Sequence, residues 1–179
     1  KIIDIELEYY NNVTSDVLSK IYVSRVLSSD RVSSNIGRMR NSGVELSLSS
    51  TNFARRNFTW TMNFNIAHNS NKILELYNGV PTSFGSYAWM EGYDSQTWNL
   101  VRWAGVDPSD GSPMWYDKNG NITRTYSTAN RVPYKSRTPL LSGGLVNNLS
   151  WKNWTFSFQI NYLIGGYALP TYASIYFKD

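Results

Sequence analysis

The stretch Phe58-Thr59-Trp60-Thr61-Met62-Asn63-Phe64-Asn65-Ile66 alternates apolar and polar residues without an error. A second stretch, Trp154-Thr155-Phe156-Ser157-Phe158-Gln159-Ile160-Asn161-Tyr162, repeats the pattern. Side chains of a strand point to opposite faces in turn, so each stretch has one apolar and one polar face. Each is also close to the ~9–11 residues that a tilted strand needs to cross a bilayer. Looser alternation flanks them. Ile3, Ile5, Leu7 and Tyr9 alternate with Asp4, Glu6, Glu8 and Tyr10, and Val44, Leu46 and Leu48 with Glu45, Ser47 and Ser49. From Leu141 to Trp151 the pattern is noisier, because Asn147 intrudes on the face of Leu145, Leu149 and Trp151. Helical period is nearly absent. The fold class is all-β and antiparallel.

The connections are unequal. Thr51 to Asn57 reads as a short turn and Lys152-Asn153 as a two-residue hairpin loop. Long connections run from about Thr14 to Ser34 and from about Asn69 to Pro139. The second carries strand-like pieces, Leu100 to Val106 and Met114 to Tyr116. It also carries turn signals at Asp107-Pro108-Ser109-Asp110-Gly111 and Asn119-Gly120. Short turns at one end and long loops at the other is the asymmetry of outer-membrane barrels.

Composition narrows the function. Of 179 residues, 17% are charged and 15% aromatic, with no cysteine and a single histidine, His68. That excludes a disulfide framework, a thiol nucleophile and Cys-ligated zinc, and leaves little for a His-based metal site or a Ser/His/Asp triad. No catalytic, cofactor-binding or metal site is expected, and the chain does not read as an enzyme. A net charge of +4, scattered along the chain, does not argue for nucleic acid. No run of 18 apolar residues exists to form a membrane helix, which leaves membrane strands open. Two architectures fit: a membrane β-barrel wall, or a soluble aromatic-rich β-sandwich serving as a carbohydrate-binding module. Against the sandwich, the two cleanest strands carry only Thr, Ser, Asn and Gln on their polar faces, with neither Lys nor Glu. Uncharged polar faces suit a wet barrel lumen. Trp60, Trp151, Trp154 and Tyr162 suit interfacial girdles.

Several separated motifs resemble one family. Glu8-Tyr9-Tyr10-Asn11 with Thr14, Asp16 and Leu18 looks like the EYYNKxTxDLL strand of SusC/RagA-type TonB-linked outer-membrane transporters. Asn35-Ile36-Gly37, Arg40-Asn41 and Gly43-Val44-Glu45 look like its NIGxxRNxGVE strand. Phe58 to Leu76 is similar to its FTWxxNFN…NKVLEL strand. Trp103-Ala104-Gly105-Val106-Asp107-Pro108, with Gly111, Pro113, Tyr116-Asp117 and Asn119-Gly120, resembles AGVDPxTGxPxYYDxNG. Gly143-Gly144-Leu145 and the strand from Trp154 resemble its GGL hairpin. The matches keep family order from residue 3 to 167. One departure is Ser136-Arg137-Thr138-Pro139, where the family commonly has Gly-Asn before the proline.

The resemblance implies that residues 1–179 are part of one transmembrane β-barrel domain of a TonB-dependent transporter, a barrel of 22 strands around a plug. About five membrane-length strands are expected here, from a late portion of the barrel. The plug domain is absent, and further strands are expected after Asp179. The long loop, about 69–139, would be extracellular. The implied partners are a SusD-like surface lipoprotein, TonB acting through the absent plug, outer-membrane lipid, and an oligosaccharide or peptide ligand. The implied location is the outer membrane of a Gram-negative bacterium. A passive porin is the further alternative, separated by the absence of a plug domain upstream.

Within that frame, Asp4, Glu6, Glu8, Glu45, Asn63, Asn65, Gln159 and Asn161 are the expected lumen-facing residues. Asp4, Glu6 and Glu8 have carboxylate spacing that a glycosidase could use, but a polar lumen wall accounts for them. Asp117-Lys118-Asn119-Gly120-Asn121 echoes a calcium loop with its glycine misplaced, and reads better as a hairpin turn. Asn57-Phe58-Thr59 and Asn153-Trp154-Thr155 match a glycosylation triplet as a by-product of Thr- and Asn-rich strands. The sharpest contact candidates are Tyr87, Trp89, Tyr93, Trp98 and Trp103 in the long loop, beside Glu91, Asp94, Gln96 and Asn99. Their flat faces suit ligand or partner contact, or packing of the loop.

Overall fold

The computed structural model describes residues 2–21, 32–35 and 37–169. The chain forms two compact units. The first comprises Lys1–Thr14, Arg40–Asn71 and Thr138–Asp179, and the second Ser15–Met39 and Lys72–Arg137.

The first unit is built on one five-stranded sheet. Its strands are β1 (Ile2–Thr14), β4 (Gly37–Arg55), β5 (Phe58–Leu76), β13 (Leu141–Trp151) and β14 (Trp154–Ile164), in the order β1-β4-β5-β13-β14. β5 and β13 pair antiparallel, as do β13 and β14. The expected five strands are all present. Three of them run longer than alternation predicts, because ladder pairing continues through polar stretches that carry no periodic signal. β4 takes in most of the expected turn at Thr51 to Asn57 and leaves only Arg56-Asn57 as a turn. β5 continues past Asn69, the expected start of the long loop, so His68 lies inside a strand, its Nδ1 2.7 Å from the Leu140 carbonyl. The Lys152-Asn153 turn closes β13 to β14 as expected, with Lys152 left-handed at φ 54°. Its N–H donates to the Asn57 carbonyl at 3.0 Å, which brings the two short turns together at one end of the sheet.

Register assigns the faces. Phe64, Leu145 and Ile160 face each other across three strands, as do Trp60, Leu149 and Phe156. The intruding Asn147 sits among them, 5% exposed, and accepts a hydrogen bond from Trp60 Nε1 at 3.0 Å. A polar side chain is tolerated there because the indole, itself a donor, needs an acceptor. Two glycines on these strands make room for tyrosines. Tyr162 crosses over Gly143 and donates to the Asn65 carbonyl at 2.8 Å. Tyr10 lies over Gly43 and donates to Asn69 Oδ1. A glycine inside a strand is the cost of such close approach.

The second unit contains short strands. β2 (Leu18–Ile21) pairs with β3 (Val32–Asn35), so the expected Thr14-to-Ser34 connection carries strands of its own. Its middle, like Ile36 of the NIG motif and the chain end at Asp179, lies outside the described residues. β6 (Thr82–Ser83) pairs with β7 (Ala88–Trp89). β8 (Thr97–Leu100) pairs with β12 (Val132–Ser136). β9 (Trp103–Val106), β10 (Pro113–Tyr116) and β11 (Ile122–Thr123) form a three-stranded sheet. The expected single piece from Leu100 to Val106 is therefore two strands, broken at Val101-Arg102 because each half pairs with a different partner. Among the described residues the buried apolar core of this unit is small. Ile73 and Ala88 are each 1% exposed and Leu76 5%.

Candidate functional site

In the first unit the polar face is continuous across β5, β13 and β14. Register aligns Asn63, Val146 and Gln159 in one row and Asn65, Gly144 and Asn161 in the next. Asn161 Oδ1 lies 3.1 Å, and Asn65 Oδ1 3.9 Å, from where a Gly144 Cβ would stand, so both amides gather over that glycine. Gln159 Nε2 donates to Asn161 Oδ1 at 2.8 Å, and Ser157 Oγ to Asn148 Oδ1 at 2.7 Å. The result is an uncharged, hydrogen-bonded amide lattice. On β1, Asp4, Glu6 and Glu8 are exposed, as is Glu45 on β4.

The other face is apolar and uncovered. Trp154 is 75% exposed, and Phe156, Phe158 and Ile160 along the same strand are also exposed. Beside the short turns, aromatic side chains cluster. Phe53 stacks on Trp60 with centroids 6.0 Å apart, Trp151 pairs with Trp154, and the Lys152 ammonium sits 5.1 Å over the Trp151 ring. Tyr162, stacked 6.5 Å from Phe64, lies toward the other end of the strand.

The five loop aromatics are not gathered into one site. Tyr87 bridges to Trp98 and stacks on Phe84 at 5.3 Å, and Trp89 meets the edge of the same Phe84 at 5.4 Å. The Arg137 guanidinium lies 5.5 Å over Trp98. Tyr93 is exposed, and its carbonyl accepts from Ile73 N–H at 2.9 Å. Trp103 belongs to a second ring ladder, edge-on to its cross-strand partner Trp115 at 5.9 Å, with Tyr126 following at 5.5 Å. Their polar neighbours also serve the fold. Glu91 Oε1 accepts from Leu76 N–H at 2.9 Å, and Asp94 Oδ1 accepts from Gln96 N–H at 2.6 Å.

Sequence reading missed three rings in these ladders, Phe84, Trp115 and Tyr126, and a cleft of about 380 Å³ lined by Leu100, Val101, Arg102, Trp103, Tyr116 and Tyr134. Strands of four residues carry too little alternation to reveal such pairings. Arg102 lies 5.1 Å over the Tyr116 ring, with its Nε buried and without an acceptor. Leaving a buried donor unsatisfied costs about 1–3 kcal/mol, more when the group is charged.

The turns read from the sequence are built as expected. Asp107 accepts from Ser109 Oγ at 2.6 Å and Ser109 N–H at 2.9 Å, and also holds Arg124, which reaches Asp110 at 3.0 Å. These contacts, the Ser109 hydroxyl foremost, lower the Asp107 carboxyl to about 2. Asp117 accepts from Asn121 N–H and Asn119 N–H, each at 2.8 Å, which lowers its pKa too. Its carboxylate closes the hairpin turn. Among the described residues no group of three or more His, Asp or Glu side chains is placed to hold a metal ion.

No protein-family profile matches the chain. TonB-dependent receptor P26 of Formosa agariphila is 30% identical over 176 residues, covering 86% of this chain and 18% of the receptor. TonB-dependent receptor SusC of Bacteroides thetaiotaomicron is 24% identical, covering 94% of this chain and 18% of SusC. Among solved structures, the RagAB peptide transporter superposes with a TM-score of 0.82 at 25% identity, over 91% of this chain and 19% of that one. The RagAB peptide importer in its closed-closed state gives 0.81 at 26% identity. The chain thus spans about a fifth of the length of the proteins it matches. The antiparallel, two-faced wall and the likeness to these receptors over most of the chain together support a chain of the SusC/RagA type, similar to a stretch of TonB-linked receptor barrel.

Proposed function

We propose that this chain contributes wall and outer cap to an outer-membrane importer of large nutrients, powered by TonB through a plug domain and covered by a SusD-like surface lipoprotein. The observation that carries the reading is the uncovered apolar face of the five-stranded sheet, opposite a face of amides. In water, an apolar face of that size demands a partner; in a barrel wall, lipid covers it and the amides meet the aqueous lumen. Trp154 and Tyr162 are eight residues apart on one strand, or about 26 Å along it at ~3.3 Å per residue, which at a tilt of ~40° spans roughly 20 Å of an apolar band of ~25 Å between two aromatic girdles. The Lys152 ammonium over Trp151 fits the membrane–water boundary. On this reading Asp4, Glu6, Glu8, Glu45, Asn63, Asn65, Gln159 and Asn161 face the lumen. Tyr87, Trp89, Tyr93, Trp98 and Trp103 belong to the extracellular cap, where they contact ligand or partner or pack the loop.

Oligosaccharides and peptides are the two ligand classes that fit, and the likeness to the RagAB peptide transporter favours peptides. The soluble binding-module reading loses ground, because among the described residues of the first unit no second sheet covers the apolar face. The test is a denaturing gel of the native outer-membrane fraction, boiled and unboiled, probed with an antibody to this segment. A band far above 20.5 kDa that shifts on boiling supports the barrel. A soluble species near that mass, unmoved by boiling, would sink it. Calorimetry of the purified receptor with oligopeptides and neutral glycans then separates the ligand classes.

A further inference from the structure

We propose that the cleft between β8, β9, β10 and β12 binds a carboxylate carried on a ligand with an apolar or ring-shaped body, and that Arg102 is the side chain that takes it. The proposal rests on the importer reading and adds the chemistry of what one cap site recognises. Most other arginines of the second unit have a job in the fold. Arg124 is held by Asp107 and Asp110, Arg38 pairs with Glu75 at 3.6 Å, Arg131 donates to the Gly85 carbonyl at 2.7 Å, and Arg137 covers Trp98. Arg102 has only the Tyr116 ring. Among the described residues its guanidinium meets no carboxylate and no carbonyl, and its Nε is shut off from water. Asp117, next in the chain to Tyr116, does not answer it, because its oxygens are taken by the backbone and side chain of Asn121 and by Asn119 N–H.

The surroundings suit a ligand. The cleft holds about 380 Å³, at the lower end of the range for small-molecule sites. Trp103 and Tyr134 line it at 57% and 56% exposure, two ring faces ready for a sugar ring or an apolar side chain. The cation–π contact with Tyr116 holds the guanidinium before any ligand arrives, which lowers the ordering cost of binding. With Nε shielded, the two Nη nitrogens are left to grip both oxygens of a carboxylate, the geometry for which arginine is suited and lysine is not. Two sources carry this chemistry: a uronate in an acidic oligosaccharide, or the C-terminus or acidic side chain of a peptide.

The experiment uses the full-length receptor with its native partners and two matched probe pairs. One pair is tetra-alanine with a free or an amidated C-terminus, and the other is tetragalacturonate or its methyl ester. Titration calorimetry should show the free-acid form of one pair binding about tenfold or more tightly than its neutral form, the range expected for a charge-assisted pair. The pair that discriminates names the source. Arg102→Gln should abolish the preference, Arg102→Lys should keep only part of it, and Trp103→Ala should weaken both forms while leaving their ratio. Equal affinities within both pairs, no binding of any probe, or a preference that survives Arg102→Gln would each overturn the proposal. If Arg102→Gln does not assemble, the Arg102→Lys ratio decides alone, an unchanged ratio counting against the site. Uptake of the same probes by energised cells keeps the two readings apart. Uptake blind to the carboxylate removes the cleft and leaves the importer; binding that discriminates, without uptake, removes the importer and leaves the cleft.

Discussion

Along β14, Trp154 is 75% exposed and Phe156 62%, whereas in the loop unit Ile73 and Ala88 are each 1% exposed. The same apolar chemistry is laid open in one region and sealed in the other. On the proposed reading the sheet faces lipid and has no need to cover its apolar face, and its specificity resides in ladder pairing and sidedness. A unit that meets water must build a core from whatever its short strands and turns bring together. In the second unit that is little: among the described residues, three buried apolar side chains, supported by backbone bonds such as Ile73 N–H to Tyr93 O and Gly92 N–H to Ile73 O.

The contrast breaks most visibly at Ile73. Ile73→Ala should destabilise the loop unit by about 2–5 kcal/mol, the usual cost of truncating a fully buried aliphatic side chain. Hydrogen exchange should show faster exchange at the Gly92 and Tyr93 amides and no change along β13 and β14. Equal loss in both regions would mean that the units are one cooperative body. Next in size is a charge on the apolar face. Phe158→Arg should cost about 2–4 kcal/mol in a bilayer, and Gln159→Arg, one residue along on the amide face, much less. Urea titration of the receptor in vesicles reads the difference. Equal penalties would erase the assigned sidedness.

Glycines sharpen the comparison, because the two units use them differently. In the sheet, a Gly143 Cβ would stand 2.2 Å from the Asn65 carbonyl oxygen and 2.5 Å from the Tyr162 hydroxyl, so the backbone itself blocks it. Gly143→Ala should cost about 1–3 kcal/mol. Gly144→Ala meets the Asn161 amide at 3.1 Å, a movable group, and should cost less. Gly85, in the loop, has nothing within 4 Å of its Cβ position but a φ of +81°. Its alanine variant should lose about 1 kcal/mol through backbone conformation alone. Thermal inactivation of the three variants ranks them, and a Gly143→Ala protein as stable as Gly144→Ala would show that Tyr162 does not need the space.

Sidedness explains what was legible. Alternation at Phe58–Ile66 and Trp154–Tyr162 announces the central sheet because each residue there answers to only one of two solvents. Strand ends carry no such signal. The run His68-Asn69-Ser70-Asn71 is polar on both faces, yet it stays in β5 because pairing, through contacts such as Asn71 Nδ2 to Asn41 Oδ1 at 2.6 Å, does not depend on hydropathy. Turn chemistry was equally plain at Asp107 and Asn119, where side chains bond their own backbone within a few residues. The Arg102 cleft was not legible. Its walls come from residues 100–103, 116 and 134, and nothing local marks an arginine that lacks a partner.

The smallest expected effect separates the units by proton. In the loop, Asp107, Asp110 and Asp117 all titrate below their ordinary 3.8, Asp107 at about 2. Asp107 is lowered first by the Ser109 hydroxyl, Asp110 by the Ser112 N–H and Asp117 by the Asn121 N–H. A carboxyl with a folded pKa below its unfolded value adds stability that is fully present above the unfolded pKa and disappears as pH falls through the folded one. The turns should therefore loosen between about pH 4 and pH 2. The paired strands β13 and β14 hold no carboxylate between Leu141 and Ile164 and should not respond in that window. Hydrogen exchange corrected for intrinsic rate gives the test at two amides: Gly111 N–H, bonded to the Asp107 carbonyl at 2.8 Å, and a β13 amide such as that of Leu145. Protection at Gly111 should fall with acid while Leu145 holds, and Asp107→Asn should flatten much of the Gly111 response, with the remainder carried by Asp110. A parallel fall at both amides would assign the acid sensitivity to the whole chain and remove the turn carboxylates as its cause.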